Sequence, residues 1–198
     1  MTMTVPERGM TRLRRTAEAA EEATGLRAEI IRGVLMMSPT PRGKHAKVVN
    51  VVYDQLKPVL PSDLDAFQLA SVALPHDPDD YATPDLLVCD AAFGDSDDWL
   101  AEPGSAALVV EVVSRGSATK DTRDMVSWYA EADVPAYLVI DPRQGTWTLH
   151  TVPKDGAYQG SLRGEYGEDV PLELEGLRTK LTTDGLPRYG PERGANGR

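Results

Sequence analysis

A chain of 198 residues, 41% hydrophobic and 26% charged, fits one ordinary folded domain with tails and excludes a fibrous or wholly disordered protein. Its formal net charge of -10 argues at first against a nucleic-acid partner, because binding a polyanion needs Lys and Arg to displace phosphate counterions. That excess is local: nine acids and no Lys or Arg lie between His76 and Glu102, and the rest of the chain is within one charge of neutral.

About eleven residues form a loose arm, and Arg12–Ala23 reads as a charged surface helix stopped by Gly25. Ala28–Met37 is rich in Ile, Val and Met around Arg32-Gly33, the pattern of two short strands joined by a tight turn. Lys44–Leu56 places Val48, Val49, Val52 and Leu56 at helical spacing, closed by Pro58 and Pro61. Asp65–Leu74 alternates loosely as a strand, and a Pro/Asp-rich loop then leads to the short buried-strand pattern Pro84–Asp90.

Beyond a polar acidic loop, Ala106–Val113 is the strongest strand, apolar enough to be covered on both faces. A turn over Ser114–Thr119, a helix over Asp121–Ala132 and a buried strand over Ala136–Asp141 complete a crossover unit with parallel strands. Thr146–Val152 pairs back as a hairpin, the stretches 156–159 and 170–174 supply edge strands, and the chain is disordered from Pro187. The resulting divisions are an arm and helix over 1–24, a domain over 25–186 and a tail over 187–198.

The one cysteine, Cys89, excludes an internal disulfide and a CxxC zinc or redox motif, and a reducing cytoplasm is the expected setting. No apolar run is long enough for a signal peptide or a membrane span. GxxxxGK, GxGxxG, HExxH and GxSxG are all missing, so nucleotide hydrolysis, dinucleotide binding, zinc proteolysis and elbow-type esterase chemistry lack support.

Glu111 is the most informative residue, because an ionised carboxylate in a central apolar strand needs a cation, hydrogen bonds or protonation to compensate it. Pairing with an arginine, or a place at the strand's exposed end, would explain it structurally; a metal or catalytic role is the sharper reading. Asp85, at the entry to a strand expected beside that of Glu111, adds a second oxygen donor of the type Mg²⁺ or Mn²⁺ prefers. His45 opens a helix and is able to contact phosphate or metal, although packing is the commoner role for such a residue. His76 and His150 read as structural, Cys89 as a small buried hydrophobe, and Asp90 and Asp141 as strand-ending turn residues. Trp128 and Tyr129 divide between core and surface.

Glu29 in AEIIRGVLMMSP, His45, Pro84-Asp85, Glu111-Val-Val-Ser, Lys120-Asp121 and YAEADVPAYLVIDP occur in an order and spacing that resembles the Uma-type restriction endonuclease family of the PD-(D/E)XK nuclease superfamily. The resemblance runs from about Arg27 to Asp184. It implies an α/β restriction-endonuclease-like core, with a mixed central sheet flanked by helices. Asp85 and Glu111 would bind Mg²⁺ or Mn²⁺, Glu29 would add a third carboxylate, DNA would be the substrate, and a homodimer is a possible assembly. The superfamily's usual lysine position, two residues beyond the Glu, is Val113, and the family's alternative, four residues after Asp121, is Met125. Lys120, the only lysine between Glu111 and Lys154, is the candidate replacement.

The leading reading is therefore a Mg²⁺-dependent DNA endonuclease. The alternative is a catalytically weakened module that binds nucleic acid or protein, and RNA is a substrate the same residues would serve. DNA binding is expected to be weak, salt-sensitive and dependent on the cation to screen the acidic rim.

Overall fold

The computed structural model describes residues 11–102, 104–114 and 123–190. Lys120, Asp121, most of the expected 114–119 turn, the arm before Thr11 and the tail beyond Gly190 lie outside them.

The Thr11 hydroxyl accepts the Arg14 N–H to cap α1 (Arg12–Thr24), and Gly25, at φ 67°, closes it by donating to the Glu21 carbonyl at 2.8 Å. β1 (Arg27–Ile31) and β2 (Val34–Ser38) form the expected hairpin. Its turn residues Arg32 and Gly33 are both left-handed, the two-residue turn whose twist matches the strands. α2 (Gly43–Leu56) follows, its buried stripe His45, Val48, Val49, Val52 and Leu56 at helical spacing.

The single strand expected over Asp65–Leu74 is two, β3 (Leu64–Phe67) and β4 (Ser71–Leu74), broken where Leu69 adopts φ 66° and the chain passes from one sheet to another. The Pro/Asp-rich loop is also a correction, because Asp77–Ala82 is a strand, β5, held between β1 and β4. An aspartate-rich run is stable there because Asp80, buried, accepts the Gly33 N–H at 2.8 Å and the Trp128 indole N–H at 2.7 Å. The remaining elements are β6 (Leu86–Asp90), β7 (Leu100–Ala101), β8 (Ala106–Val112), α3 (Met125–Glu131), β9 (Ala136–Asp141), β10 (Thr146–Lys154), β11 (Ala157–Glu165), β12 (Val170–Leu174) and β13 (Leu177–Leu181).

Six strands form a mixed sheet in the order β11-β10-β9-β8-β6-β3, with β8 and β9 parallel as the crossover pattern requires. Five form a second sheet, β2-β1-β5-β4-β7, and β12-β13 is a separate hairpin. Period-two alternation divides the core. Leu86, Val88, Leu108, Val110, Val112, Leu138 and Ile140 pack with α2 and the β12-β13 hairpin. Leu87, Cys89, Val109, Val113, Tyr137 and Val139 pack with α3 and residues of the five-stranded sheet.

Trp128 and Tyr129 do not divide between core and surface: both are fully buried. With Met125 and Ala132 they make one i, i+3, i+4, i+7 stripe on α3. The chain over 187–190 is also not a free tail. Tyr189 donates its N–H to the Pro142 carbonyl at 2.9 Å, and Lys44 Nζ donates to the Arg188 carbonyl at 2.8 Å. No described helix is long and apolar enough to cross a membrane.

Candidate active site

β6 and β8 are antiparallel with Leu86 opposite Val110, so one further step places Asp85 opposite Glu111. Opposed residues of an antiparallel pair project from the same face. That face is the one turned to α3 and the five-stranded sheet, since Glu111 lies between the inward Val109 and Val113 and Asp85 is in phase with Leu87 and Cys89. From across the gap, β1 contributes Glu29 on the same side as the inward Ile31. Three sequence-predicted carboxylates, Glu29 on β1, Glu111 on β8 and Asp85 just before β6, thus lie toward one region, and all are buried, with Glu29 fully enclosed and Asp85 and Glu111 at 7% and 5% exposure.

Each carboxylate is held by a specific donor. The Thr83 N–H donates to Glu29 Oε1 at 3.0 Å, and the Val112 N–H donates to Asp85 Oδ2 at 2.8 Å. The Tyr129 hydroxyl donates to Glu111 Oε1 at 3.0 Å. Burial, then the charges of Glu111 and Glu29 with Tyr137 between them in effect, pushes that phenol well above its ordinary value, so it remains a protonated donor. Glu111 is neither at an exposed strand end nor explained by packing alone.

His45, from the first turn of α2, reaches the same place. Its Nε2 lies 2.9 Å from Asp85 Oδ1, yet the two are not aligned for a hydrogen bond, and neither ring nitrogen has a partner among the described residues. The first turn of α2 has no acidic residue and no side-chain cap, and Arg42, Lys44 and Lys47 are exposed around it. The positive end of the α2 dipole thus lies at His45, with basic and no acidic side chains around its first turn.

Val113 and Met125, the two positions at which the resemblance leads one to expect a lysine, are completely buried in one hydrophobic cluster. An amine at either would be stranded in apolar surroundings. The donor chemistry fits a hard divalent cation, which needs only one or two carboxylates and keeps several waters. Among the described residues no three His, Cys, Asp or Glu side chains converge into a closed metal cage.

Sequence reasoning passed over Tyr129 and Asp80. Tyr129 was detectable from the 125/128/129/132 stripe, which puts it on the same face as Trp128; Asp80 had no local signal, because both its donors come from other elements. A cleft of about 650 Å³ beneath α1 is lined by Glu18, Glu21, Glu22, Arg27, Tyr81, Thr83 and Trp99 but not by Asp85 or Glu111. Its carboxylates would repel phosphate. His150 is half-buried among Tyr137 and Tyr158, and burial lowers its pKa, in keeping with a structural role.

A mixed sheet with helices on both sides gives the chain a nuclease-like α/β fold. The solved structure of a protein described as a "putative nuclease", from Anabaena variabilis ATCC 29413, matches it with a TM-score of 0.64 and 17% identity. The match covers 80% of this chain and 89% of that one. The chain belongs to the Uma2 family, described as "Putative restriction endonuclease", whose model matches residues 14–183. No curated protein matches it.

Proposed function

We propose that this protein is a divalent-cation-dependent endonuclease that hydrolyses DNA phosphodiester bonds. The observation that carries the reading is the opposed pair Asp85 and Glu111, both buried, with the Val112 N–H on Asp85 and the Tyr129 hydroxyl on Glu111. Asp85 and Glu111 would hold Mg²⁺ or Mn²⁺, which when bound lowers the pKa of a coordinated water and neutralises charge on the phosphate. The Val112 N–H turns Asp85 so that Oδ1 faces His45, and Tyr129 fixes the rotamer of Glu111. Glu29, anchored on Thr83, adds negative potential that favours a cation over a bare anion in the gap. Arg42, Lys44 and Lys47 with the α2 N-terminus give the polyanion an approach that avoids the acidic segment. Lys120 is the proposed source of the cationic group, since Val113 and Met125 are committed to the core.

Supercoiled plasmid incubated with Mg²⁺ or Mn²⁺ tests this, beside Asp85→Ala and Glu111→Ala proteins. The expected result is cleavage by the parent, reduced about a thousandfold or more in both variants. Equal activity in all three would contradict the assignment. A second reading, a weakened module that binds nucleic acid or protein, is favoured by the apolar Val113 and Met125; it predicts no cleavage by the parent, and Lys120→Ala would then change nothing.

A further inference from the structure

Resting on the endonuclease reading, we propose that His45 is a direct ligand of the catalytic cation, so that the site is a mixed nitrogen and oxygen site selective for Mn²⁺ over Mg²⁺. The His45 imidazole is 7% exposed, and neither of its nitrogens has a hydrogen-bond partner among the described residues. A buried imidazole normally has at least one partner, so this one calls for an explanation. Helical spacing accounts for its burial, since it continues the Val48, Val49, Val52 and Leu56 stripe of α2. The same spacing gives no reason for a polar ring at that place.

The relation to Asp85 supplies one. Nε2 and Oδ1 are 2.9 Å apart, hydrogen-bond distance, but an N–H on Nε2 would not point at the oxygen. Two adjacent ligands of an octahedral cation bound at roughly 2.1 Å are themselves roughly 3.0 Å apart, with their lone pairs aimed at a shared third point and not at each other. The pair has that spacing, and its nitrogen makes no aligned hydrogen bond to the oxygen. Asp85 is meanwhile fixed from its other oxygen by Val112 N–H, and His45 by the helix, so both donors are preset. Water and substrate oxygens would complete the shell around these two, and Glu111 on the neighbouring strand would act through a bound water, since no three His, Cys, Asp or Glu side chains among the described residues form a metal-holding group.

An imidazole donor changes the choice of metal. Mg²⁺ prefers oxygen throughout its shell, whereas first-row transition ions accept imidazole readily. The site is therefore expected to bind Mn²⁺ about tenfold or more tightly than Mg²⁺, and the ratio to shrink toward unity when the nitrogen is removed.

Pulsed electron paramagnetic resonance of the full chain loaded with Mn²⁺ reads the bond directly. The expected spectrum shows ¹⁴N modulation that converts to the ¹⁵N pattern on labelling with ¹⁵N-histidine, and that disappears in His45→Gln while Mn²⁺ still binds about ten- to a hundredfold more weakly. Labelling the parent requires no substitution, so the test stands even where a variant fails to fold, and His45→Asn serves as a second, smaller replacement. Bound Mn²⁺ without nitrogen modulation would overturn the His45 ligand and leave the endonuclease reading intact. Nitrogen modulation persisting in both variants would also overturn it, placing the signal on another histidine. No Mn²⁺ binding by the parent would overturn both.

Discussion

Asp85 and Asp141 make an instructive pair. Both are buried aspartates beside the central β8 strand or its parallel neighbour, one just before β6 and the other at the end of β9, with 7% and 6% exposure. Asp141 is fully answered within its own turn. It accepts the Arg143 N–H and Nε at 2.9 Å each, and its second oxygen accepts Arg143 Nη2 at 2.7 Å. Asp85 receives one backbone N–H on one oxygen and, on the other, an imidazole at bonding distance but out of line. Burial alone does not mark a functional carboxylate. What distinguishes the two is whether the fold has already supplied the compensating charge.

The comparison is broken most directly at the plasmid, where Asp85→Ala is expected to remove cleavage and Asp141→Asn to leave it within about twofold, a difference of about three orders of magnitude. Next in size is Tyr129→Phe. Losing the hydroxyl that fixes Glu111 is expected to lower cleavage about ten- to a hundredfold without loss of folding, measured by plasmid nicking and by near-ultraviolet circular dichroism.

Stability should move in the opposite sense. Asp141→Asn is expected to cost about 1–3 kcal/mol in denaturant unfolding at neutral pH, because the Arg143 guanidinium loses its charged partner. Desolvation pushes the Asp141 carboxyl up, but the Arg143 hydrogen bonds outweigh it and hold the folded value below the usual carboxylate range. A group depressed in this way contributes fully above its unfolded value of about 3.9, and the contribution is lost as pH falls through the folded value. The difference between parent and Asp141→Asn should thus shrink as the unfolding series is taken below about pH 4. A difference that grew on acidification would contradict the pairing.

The smallest effect is expected at Cys89, four residues along from Asp85 in the sealed interior of β6. Burial raises its thiol to about 12. A disulfide reagent at pH 8 is expected to leave it unmodified in the native protein and to titrate one thiol after denaturation.

Much of this arrangement is legible in the residues themselves. The Ala106–Val113 and Ala136–Asp141 runs are apolar on both faces because helices and a second sheet cover them, and parallel pairing follows from the helix between. Glu111 stands out for the same reason, as a charge where the pattern demands none. The second sheet is not legible. Asp77–Ala82 has the composition of a loop, with Pro78 at the strand entry beside a register shift, and becomes an interior strand only through Gly33 and Trp128, distant in sequence. Asp65–Leu74 reads as one strand because the switch between sheets is made by a left-handed Leu69, a conformation its side chain does not advertise. At the site, the carboxylates and His45 are visible as residue types, while the backbone donors and the contacts that Tyr129 and His45 make are tertiary facts.

Calorimetric titration of Mn²⁺ into the parent, Asp85→Asn and Asp141→Asn proteins tests the central claim, that Asp85 is the open carboxylate and belongs to a cation site. One site is predicted in the parent, unchanged in Asp141→Asn and weakened about a hundredfold or lost in Asp85→Asn. Binding of Mn²⁺ by Asp85→Asn with the affinity of the parent would contradict it.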